Sequence, residues 1–328
     1  MMLLAGDIGG TKTNLAIFSS KDELRTPLLE MTFPSGQYPS LEALVREFLS
    51  HVNMPIARAC FGVAGPVLAG KAKITNMSWS INEAELQKAL NIPHVYLLND
   101  LNAMAHAIPL LEPSDLRTLN AGQPDPQGTV AILAPGTGLG EAFLTRDGSR
   151  YYTHPSEGGH VDFAPTNGFE LELLRYLLER FEHVSYELIC SGSGLPHIYD
   201  CLKEFVRLDE PPWLGEQLAV AKDRAPVIVN AALSTSAPDP LCVATVKIFV
   251  SIMGAEAGNM ALKMLATGGV YVGGGIPPRI LPFLEDGSFM KSFTNKGRFS
   301  SLLKQIPVHI ILNPKLALIG AAACGFEG

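Results

Sequence analysis

Polar residues that could bind a hydroxylated molecule and accept a proton follow one of the apolar runs of this chain. Asn99 and Asp100 come directly after Val95–Leu98, which reads as a strand, and before a helical pattern at Leu101–Ala107. Ligands in open α/β sheets bind beyond the carboxyl ends of strands, so a carboxylate at this point is placed for binding or for general-base chemistry. The alternative is that Asp100 only caps the helix, a role in which aspartate is common.

Two further segments combine acidic residues with glycine. The run Glu157-Gly158-Gly159-His160 puts an acid and an imidazole on backbone that can approach a ligand closely. Glu187, which we expect in a helix capped by Ser185, precedes Gly192 and Gly194. A hydroxyl both donates and accepts hydrogen bonds, so such side chains suit a molecule with many hydroxyl groups. A site of this kind rejects analogues that lack a hydroxyl, because its polar groups would be left unpaired.

Glycine-rich turns follow three of the expected strands. They comprise Gly6, Asp7, Ile8, Gly9, Gly10 and Thr11; Gly136, Thr137 and Gly138; and Gly273, Gly274 and Gly275. Bare backbone N–H groups in such turns suit phosphate, and the carboxylate of Asp7 would face an accompanying Mg²⁺ ion. An ordinary turn that needs glycine for its geometry is the alternative. Neither a P-loop nor a full GxGxxG dinucleotide motif is present, since Glu141 stands where the third glycine would be.

Strand-like and helical segments alternate almost throughout, which indicates an α/β protein. We expect helices from Leu41 after a Ser40 cap, from a capping box at 80–83, and over 240–266 with a stop at Gly268-Gly269. A strand, a glycine turn and a second strand occur at 3–18 and again from residue 129, which suggests a duplicated nucleotide-binding unit. The stretch 112–128, rich in Pro, Asp and Gly, is expected to mark the change of domain.

Composition narrows the class of protein. A chain of 328 residues exceeds one typical core, so two domains are expected. The net charge of −7 argues against nucleic-acid binding. The five cysteines form no CxxC pair, which favours neither a zinc site nor a disulfide framework and fits a reducing cytoplasm. No signal peptide is indicated, and no apolar run approaches the ~18 residues of a membrane span.

Six stretches of the chain resemble the bacterial-type glucokinases, in the superfamily of hexokinases, actin and heat-shock ATPases. They are GDIGGT (6–11), LLNDLNAMAHAIP (97–109), GTGLG (136–140), EGGHVDFAP (157–165), SGSGL (191–195) and GGVYVGGGIPPRI (268–280). Segment 157–165 is the most specific. The cysteine-rich zinc motif of the related repressor-type kinases is absent, so no zinc is expected. A departure is Lys12-Thr13-Asn14, where close members have Asn-Ala-Arg; Lys12 either adds charge near the phosphates or is a solvated turn residue.

The resemblance implies an α/β, two-domain ribonuclease-H-like fold of the actin and hexokinase type, with a cleft between the domains. It places 1–110 plus 306–328 in a small α/β domain and 111–305 in a large one. It also implies ATP-dependent phosphorylation of the 6-hydroxyl of D-glucose, with Asp100 as the general base and Mg²⁺ as cofactor. A homodimer is expected on the same ground.

The resemblance further assigns the candidate site residues. Asn99, Glu157, His160 and Glu187 would hold the other sugar hydroxyls. The turns at 6–11 and 136–138 would hold phosphates, Gly273 and Gly274 would lie near the adenosine, and Asp7 would face Mg²⁺ through water. Alternatives are a kinase for another hexose and a non-catalytic sugar-sensing regulator. The regulator is less favoured, because related repressors carry a helix-turn-helix before the first strand, where this chain begins.

Overall fold

The computed structural model of the chain describes residues 2–74, 77–148, 150–206 and 209–327. The chain divides into two units. Unit 1 consists of Met1–Glu112, Thr153–Pro155 and Asn313–Gly328, and unit 2 of Pro113–Tyr152 and Ser156–Leu312. The unit boundary at Glu112 and Pro113 falls at the start of the stretch 112–128.

Strands and helices alternate along the described residues. The strands are β1 (Met2–Ile8), β2 (Lys12–Phe18), β3 (Leu29–Pro34), β4 (Ile56–Val63), β5 (Val67–Leu68), β6 (Lys71–Lys73), β7 (Ser80–Asn82), β8 (His94–Asn99), β9 (Leu116–Asn120), β10 (Val130–Pro135), β11 (Leu139–Asp147), β12 (Arg150–Ser156), β13 (Gly269–Val272) and β14 (Val308–Ile311). The helices are α1 (Leu41–Ser50), α2 (Glu83–Leu90), α3 (Asp100–Ala107), α4 (Gly168–Leu178), α5 (Leu195–Phe205), α6 (Pro212–Val220), α7 (Ala225–Ala232), α8 (Pro240–Lys263), α9 (Leu281–Leu284), α10 (Ser288–Thr294), α11 (Ser300–Gln305) and α12 (Leu316–Glu327).

The main sheet of unit 1 has the strand order β3-β2-β1-β4-β8. β1 and β2 form an antiparallel hairpin, whereas β1, β4 and β8 run parallel. The register pairs Asp7 with Gly62 and Gly62 with Leu98. The carboxyl ends of these three parallel strands therefore meet at one edge of the sheet, which brings Asp7 to the edge where β8 runs into α3.

The main sheet of unit 2 has the order β12-β11-β10-β13-β14-β9. It again combines an antiparallel hairpin, β10–β11, with parallel strands β10, β13 and β14. The strand order of unit 1 thus recurs, which confirms the predicted duplication at the level of topology. β9 extends the sheet by pairing antiparallel with β14, so part of the stretch 112–128 belongs to the sheet of unit 2.

Helix α8 forms the centre of the unit 2 core. Within the described part of the chain this helix is long and apolar enough to cross a membrane, yet 72% of its most apolar stretch is buried inside the protein. Burial of that extent marks a core helix. It ends at Lys263, three residues before the expected end, because Leu265 takes a left-handed conformation with φ of 47°. The backbone N–H of Ala266 then donates to the Ala261 carbonyl over 2.9 Å, which closes a Schellman motif before Gly268 is reached.

Three local predictions can be compared with the structure. Ser40 caps α1 by accepting from the Ala43 N–H at 3.2 Å, as predicted. The capping box at Ser80 is wrong, because Ser80–Asn82 pairs with β6 and Asn82 caps α2 instead. The helix expected after Ser185 is also wrong. Ser185 Oγ accepts from the Leu188 N–H at 3.2 Å, but only one turn forms before the glycine-rich run 191–194 redirects the chain.

Candidate active site

Asp100 occupies the first position of α3, and its neighbour Asn99 is the residue that caps this helix. The Asn99 Oδ1 accepts from the N–H groups of Leu101 and Asn102, and its Nδ2 donates to the Gly65 carbonyl at 3.1 Å. Asp100 Oδ1 accepts from the Leu101 N–H at 2.8 Å, and the N–H of Asp100 itself also stabilises the carboxylate. Asn99 is therefore the main cap of α3, which engages much of its amide, whereas Asp100 shares only the Leu101 N–H with it.

Close backbone packing fixes the position of α3. A Cβ on Gly320 of α12 would overlap the Ala103 carbonyl oxygen, and a Cβ on Gly62 of β4 would lie 2.9 Å from the Ala103 Cβ. Glycine at both positions lets α3 lie directly against a helix and a strand. The start of α3, and with it Asp100, is thereby held at the edge of the sheet in unit 1.

Asp7 and Asp100 interact electrostatically at this edge. Burial is the main cause that raises the pKa of Asp100 to about 6; the Leu101 hydrogen bond opposes the shift and the charge of Asp7 adds to it. Burial likewise raises the pKa of Asp7, against a 3.4 Å hydrogen bond from Asn14 Nδ2 and the charge of Lys12. Lys12 is exposed, yet it lies close enough to influence Asp7. Two carboxyl groups near each other, at the end of a parallel sheet, provide oxygen ligands of the kind Mg²⁺ prefers.

The first glycine turn connects β1 to β2 beside Asp7. The Gly9 N–H donates to the Lys12 carbonyl at 3.1 Å, and neither Gly9 nor Gly10 has a positive φ. The backbone φ therefore does not demand glycine there, but a Cβ on Gly9 would lie only 3.0 Å from the Lys12 carbonyl oxygen, so the turn is too tight for a side chain at that position. Gly6 and Ile8 differ from their neighbours: Gly6 packs under Phe61, and Ile8 is fully buried. Only backbone atoms of these two residues could face a phosphate.

Unit 2 brings Glu157, His160 and Glu187 together. His160 Nε2 lies 3.9 Å from Glu157 Oε2, and His160 Nδ1 lies 3.8 Å from Glu187 Oε1. The Glu187 N–H donates to the Gly159 carbonyl at 2.8 Å, which joins the two segments through backbone. The side chains of Glu157 and His160 are 79% and 58% exposed, so an imidazole flanked by two carboxylates is presented outward. Such a group of acceptors and donors suits adjacent hydroxyl groups.

The second and third glycine turns lie next to one another in unit 2. The Gly273 N–H donates to the Leu133 carbonyl at 2.8 Å, and a Cβ on Gly274, whose φ is +83°, would overlap the Pro135 carbonyl oxygen. The turn at Gly136, Thr137 and Gly138 follows Pro135 directly. A Cβ on Gly138 would overlap Glu187 Oε2, which also accepts from the Leu139 N–H at 2.9 Å. The glycine turn is thereby connected to the Glu157–His160–Glu187 cluster.

A pocket of about 540 Å³ opens beside these turns, within unit 2. Its lining includes Gly136, Thr137, Gly275 and side chains of α7, and it also includes residues that the sequence did not single out: Asp223, Asn230 and Arg279. Arg279 follows the glycine run 273–275 by only four residues, so its place in the lining of this pocket could have been predicted from the sequence. The sequence of α7 gave no signal, because this helix lines the pocket with apolar side chains and a single amide, Asn230.

Comparison with known proteins agrees with these observations. The family model described as Glucokinase matches residues 4–327. A glucokinase of Nostoc punctiforme is 42% identical over 98% of both chains, and one of Synechocystis is 40% identical over 99% of this chain and 98% of its own. The crystal structure of a glucokinase from an Antarctic psychrotroph has a TM-score of 0.86 at 33% identity, with 100% and 99% of the two chains covered.

A more distant structure shares the fold alone. The glucokinase of Balamuthia mandrillaris, solved in complex with glucose, has a TM-score of 0.82 at 22% identity. The resemblance read from six short stretches is confirmed, because the match now spans the described sheets of both units. The predicted fold of the actin and hexokinase type is confirmed by the same neighbours. The chain belongs to the glucokinase family.

Proposed function

We propose that this protein transfers the γ-phosphoryl group of ATP to the 6-hydroxyl of D-glucose, which yields glucose 6-phosphate and ADP. The observation that carries the proposal is the exposed cluster of Glu157, His160 and Glu187 in a chain that belongs to the glucokinase family. Phosphoryl transfer depends mainly on positioning and on the neutralisation of charge. Both tasks can be assigned to residues of this chain.

Asp100 acts as the general base. Its carboxylate accepts the proton of the 6-hydroxyl while the hydroxyl oxygen attacks the γ-phosphorus and the bond to the ADP oxygen breaks. A pKa of about 6 leaves most of this carboxylate ionised at neutral pH, yet makes it a stronger base than an ordinary aspartate. The hydrogen bond from the Leu101 N–H holds one carboxylate oxygen, so the other can accept the proton.

The remaining glucose hydroxyls bind to the cluster in unit 2 and to Asn99. Glu157 and Glu187 accept hydrogen bonds from hydroxyl groups, and His160 supplies a ring nitrogen that donates or accepts. Since Glu187 also accepts from the Leu139 N–H, its carboxylate is fixed in orientation before the sugar binds. The order of polar groups around the ring would then select the epimer, because a misplaced hydroxyl leaves a carboxylate without its partner.

ATP binds with its adenosine in the 540 Å³ pocket and its phosphates at the two hairpin turns, Gly9–Thr11 and Gly136–Gly138. Gly273 and Gly274 allow the adenosine to approach the backbone. The carboxylate of Asp7, beside that of Asp100, fits a divalent cation, and we assign Asp7 as the residue that faces Mg²⁺ through water. When bound, Mg²⁺ neutralises charge on the phosphates.

A coupled assay for glucose 6-phosphate, with ATP and Mg²⁺ and a panel of hexoses, tests the proposal. We expect turnover of glucose well above that of mannose, fructose and galactose. Turnover of another hexose in preference to glucose would change the assigned substrate but leave the assigned reaction, phosphoryl transfer to a hexose, unchanged. Binding of glucose without turnover in a folded protein would instead support the sugar-sensing regulator.

Two further assignments follow from the family resemblance. We assign the protein to the cytoplasm, which fits its five free cysteines, four of them buried. We also propose a homodimer, which light scattering of the purified protein would test. A mass near 35.2 kDa, that of a single chain, would contradict the dimer.

A further inference from the structure

Glu141 lies on β11 in unit 2, and no substrate has been assigned to it. It is an acidic residue that is nevertheless buried. Its side chain is 2% exposed, and within the described residues its Oε1 has no hydrogen-bond partner. Burial without a partner disfavours the charged form of a carboxyl group. Accordingly burial, and then the charge of Glu256, raise the pKa of Glu141 to about 7, against the opposing charge of Lys263.

The second carboxyl oxygen of Glu141 lies against the segment that carries two of the proposed sugar ligands. A Cβ on Gly158 would overlap Glu141 Oε2, so the carboxyl group touches the backbone at Gly158 directly. Gly158 separates Glu157 from Gly159 and His160. The segment is tied to its own backbone by the His160 N–H, which donates to the Glu157 carbonyl at 3.0 Å. A displacement of Gly158 would therefore move both side chains together.

A second carboxylate, Glu256 of α8, accepts hydrogen bonds from the polar side chains Asn259 and Lys263 in this region. It is fully buried, and it accepts from Asn259 Nδ2 at 2.8 Å and from Lys263 Nζ at 3.3 Å. Asn259 Nδ2 also donates to the hydroxyl of Tyr186 at 3.0 Å, and Tyr186 precedes Glu187. Lys263 is thus paired with Glu256, and ionisation of Glu141 would add a second negative charge to the same interior.

We propose that Glu141 is a positioning residue for the sugar site: its neutral carboxyl group supports Gly158 and holds segment 157–160 in the conformation that binds glucose. This inference rests on the proposed function. When Glu141 ionises, the added charge beside Glu256 favours hydration of the carboxylate, which displaces Gly158 and weakens the hold on the sugar. Glucose affinity should then fall as the pH rises through 7.

The charged groups that act on Glu141 directly are Glu256 and Lys263 of α8, and the charge of Glu141 acts in turn on Cys190. Tyr186 and Lys296 belong to the same network, because each forms a hydrogen bond with Asn259. Glu157 and His160 lie on either side of Gly158, which the Glu141 carboxyl group touches. Burial raises the pKa of both Tyr186 and Cys190, so these two remain protonated throughout the neutral range. A variant of Glu141 is needed to distinguish the effect of its ionisation from that of the other titratable groups.

The test measures glucose KM and kcat between pH 6 and pH 8.5 for the whole protein, with ATP and Mg²⁺ saturating. In the unaltered protein we expect KM to rise above pH 7, by at most about tenfold per pH unit for one coupled ionisation. We expect kcat to change only near pH 6, where protonation of Asp100 lowers it by about twofold. Glu141→Gln keeps the shape of the side chain but cannot ionise, so its KM should stay within about twofold of the pH 6 value. Glu141→Ala removes the support and should raise KM at every pH.

Asp147→Asn is the matched control, because Asp147 is an exposed acid on the same strand; it should follow the unaltered protein. A rise of KM in Glu141→Gln that parallels the unaltered protein would overturn the positioning role, as would an unchanged KM in Glu141→Ala. Calorimetric titration with glucose alone, at pH 6 and 8.5, provides a readout without catalysis. Failure of the unaltered protein to bind glucose at pH 6 would contradict the proposed function itself, whereas binding that is equal at both pH values would contradict only the role of Glu141.

Discussion

Asp100 combines, at the residue scale, a position at the end of a parallel strand with a carboxylate that is not the main cap of helix α3. Asn99 takes the capping bonds, so the two adjacent residues divide the structural and the chemical task. We predict that Asp100→Asn lowers kcat by about 10²–10⁴-fold, because an amide cannot accept the proton. Glucose binding, measured by calorimetry, should remain within a few-fold. Asp22→Asn, an exposed acid of the same unit, is the control; retention of more than a tenth of kcat in Asp100→Asn would refute the assignment.

The raised pKa of Asp100 also predicts the acid limb of the pH profile. Only the ionised carboxylate can accept a proton, so kcat/KM for glucose should fall as the pH drops through about 6. An aspartate with its ordinary pKa of 3.8 would keep activity down to about pH 4. Initial rates at low glucose between pH 4.5 and 7.5 decide between the two. Glu141→Gln should retain this limb, since Glu141 acts at higher pH.

At the element scale, the end of helix α8 depends on a single residue in a left-handed backbone conformation. Leu265 holds a left-handed φ of 47° and is 57% exposed, so a glycine there would relieve strain at little loss of packing. We predict that Leu265→Gly raises the free energy of unfolding by up to about 1 kcal/mol. Leu178→Gly at the end of α4, where the side chain is 54% exposed, should lower it by about 1 kcal/mol. Urea denaturation measures both, and changes of the same sign would contradict this account.

The third glycine turn depends on Gly274 in two ways. A side chain there would be strained at a φ of +83° and would overlap the Pro135 carbonyl, which precedes the turn at Gly136–Gly138. We predict that Gly274→Ala destabilises the protein by about 1–3 kcal/mol and raises KM for ATP more than KM for glucose. Gly168→Ala at the start of α4, where a Cβ meets no atom within 4 Å, is the control. If Gly274→Ala left the affinity for ATP unchanged, this turn would not be part of the nucleotide-binding site.

For the whole molecule, Glu141 links the pH to the stability of the fold. Its pKa is about 7 in the folded state and near 4.5 in the unfolded chain, so between these values only the folded state keeps the proton. Stability from this group is therefore lost as the pH rises from about 4.5 to 7, by up to about 3 kcal/mol. Melting temperatures of Glu141→Gln and the unaltered protein should diverge over this range, with the variant the more stable at pH 8. Parallel curves would show that Glu141 ionises freely when folded.

The sequence by itself determined the class of fold, the repeated hairpins and the residues of the motifs. These features follow from signals within a few residues, such as the Ser40 cap, the apolar run before Asn99 and the glycine turns. It failed at Ser80, where strand pairing delays the start of helix α2 so that Asn82 caps it, and at Ser185, where the glycine-rich run 191–194 follows a single turn. Tertiary context outweighed local preference at both places.

Only the tertiary structure decided which of these residues act together and in what state. Glu187 lies 27 positions after His160, and a backbone hydrogen bond to Gly159 brings them within 3.8 Å. Burial raises the pKa of Asp7, Asp100 and Glu141, whereas Glu256, which is also buried, has Asn259 and Lys263 as hydrogen-bond partners. A pKa depends on the desolvation and the charges that distant segments supply, so no local pattern can predict it. The sequence therefore specified the chemical groups, and the fold set their protonation and their neighbours.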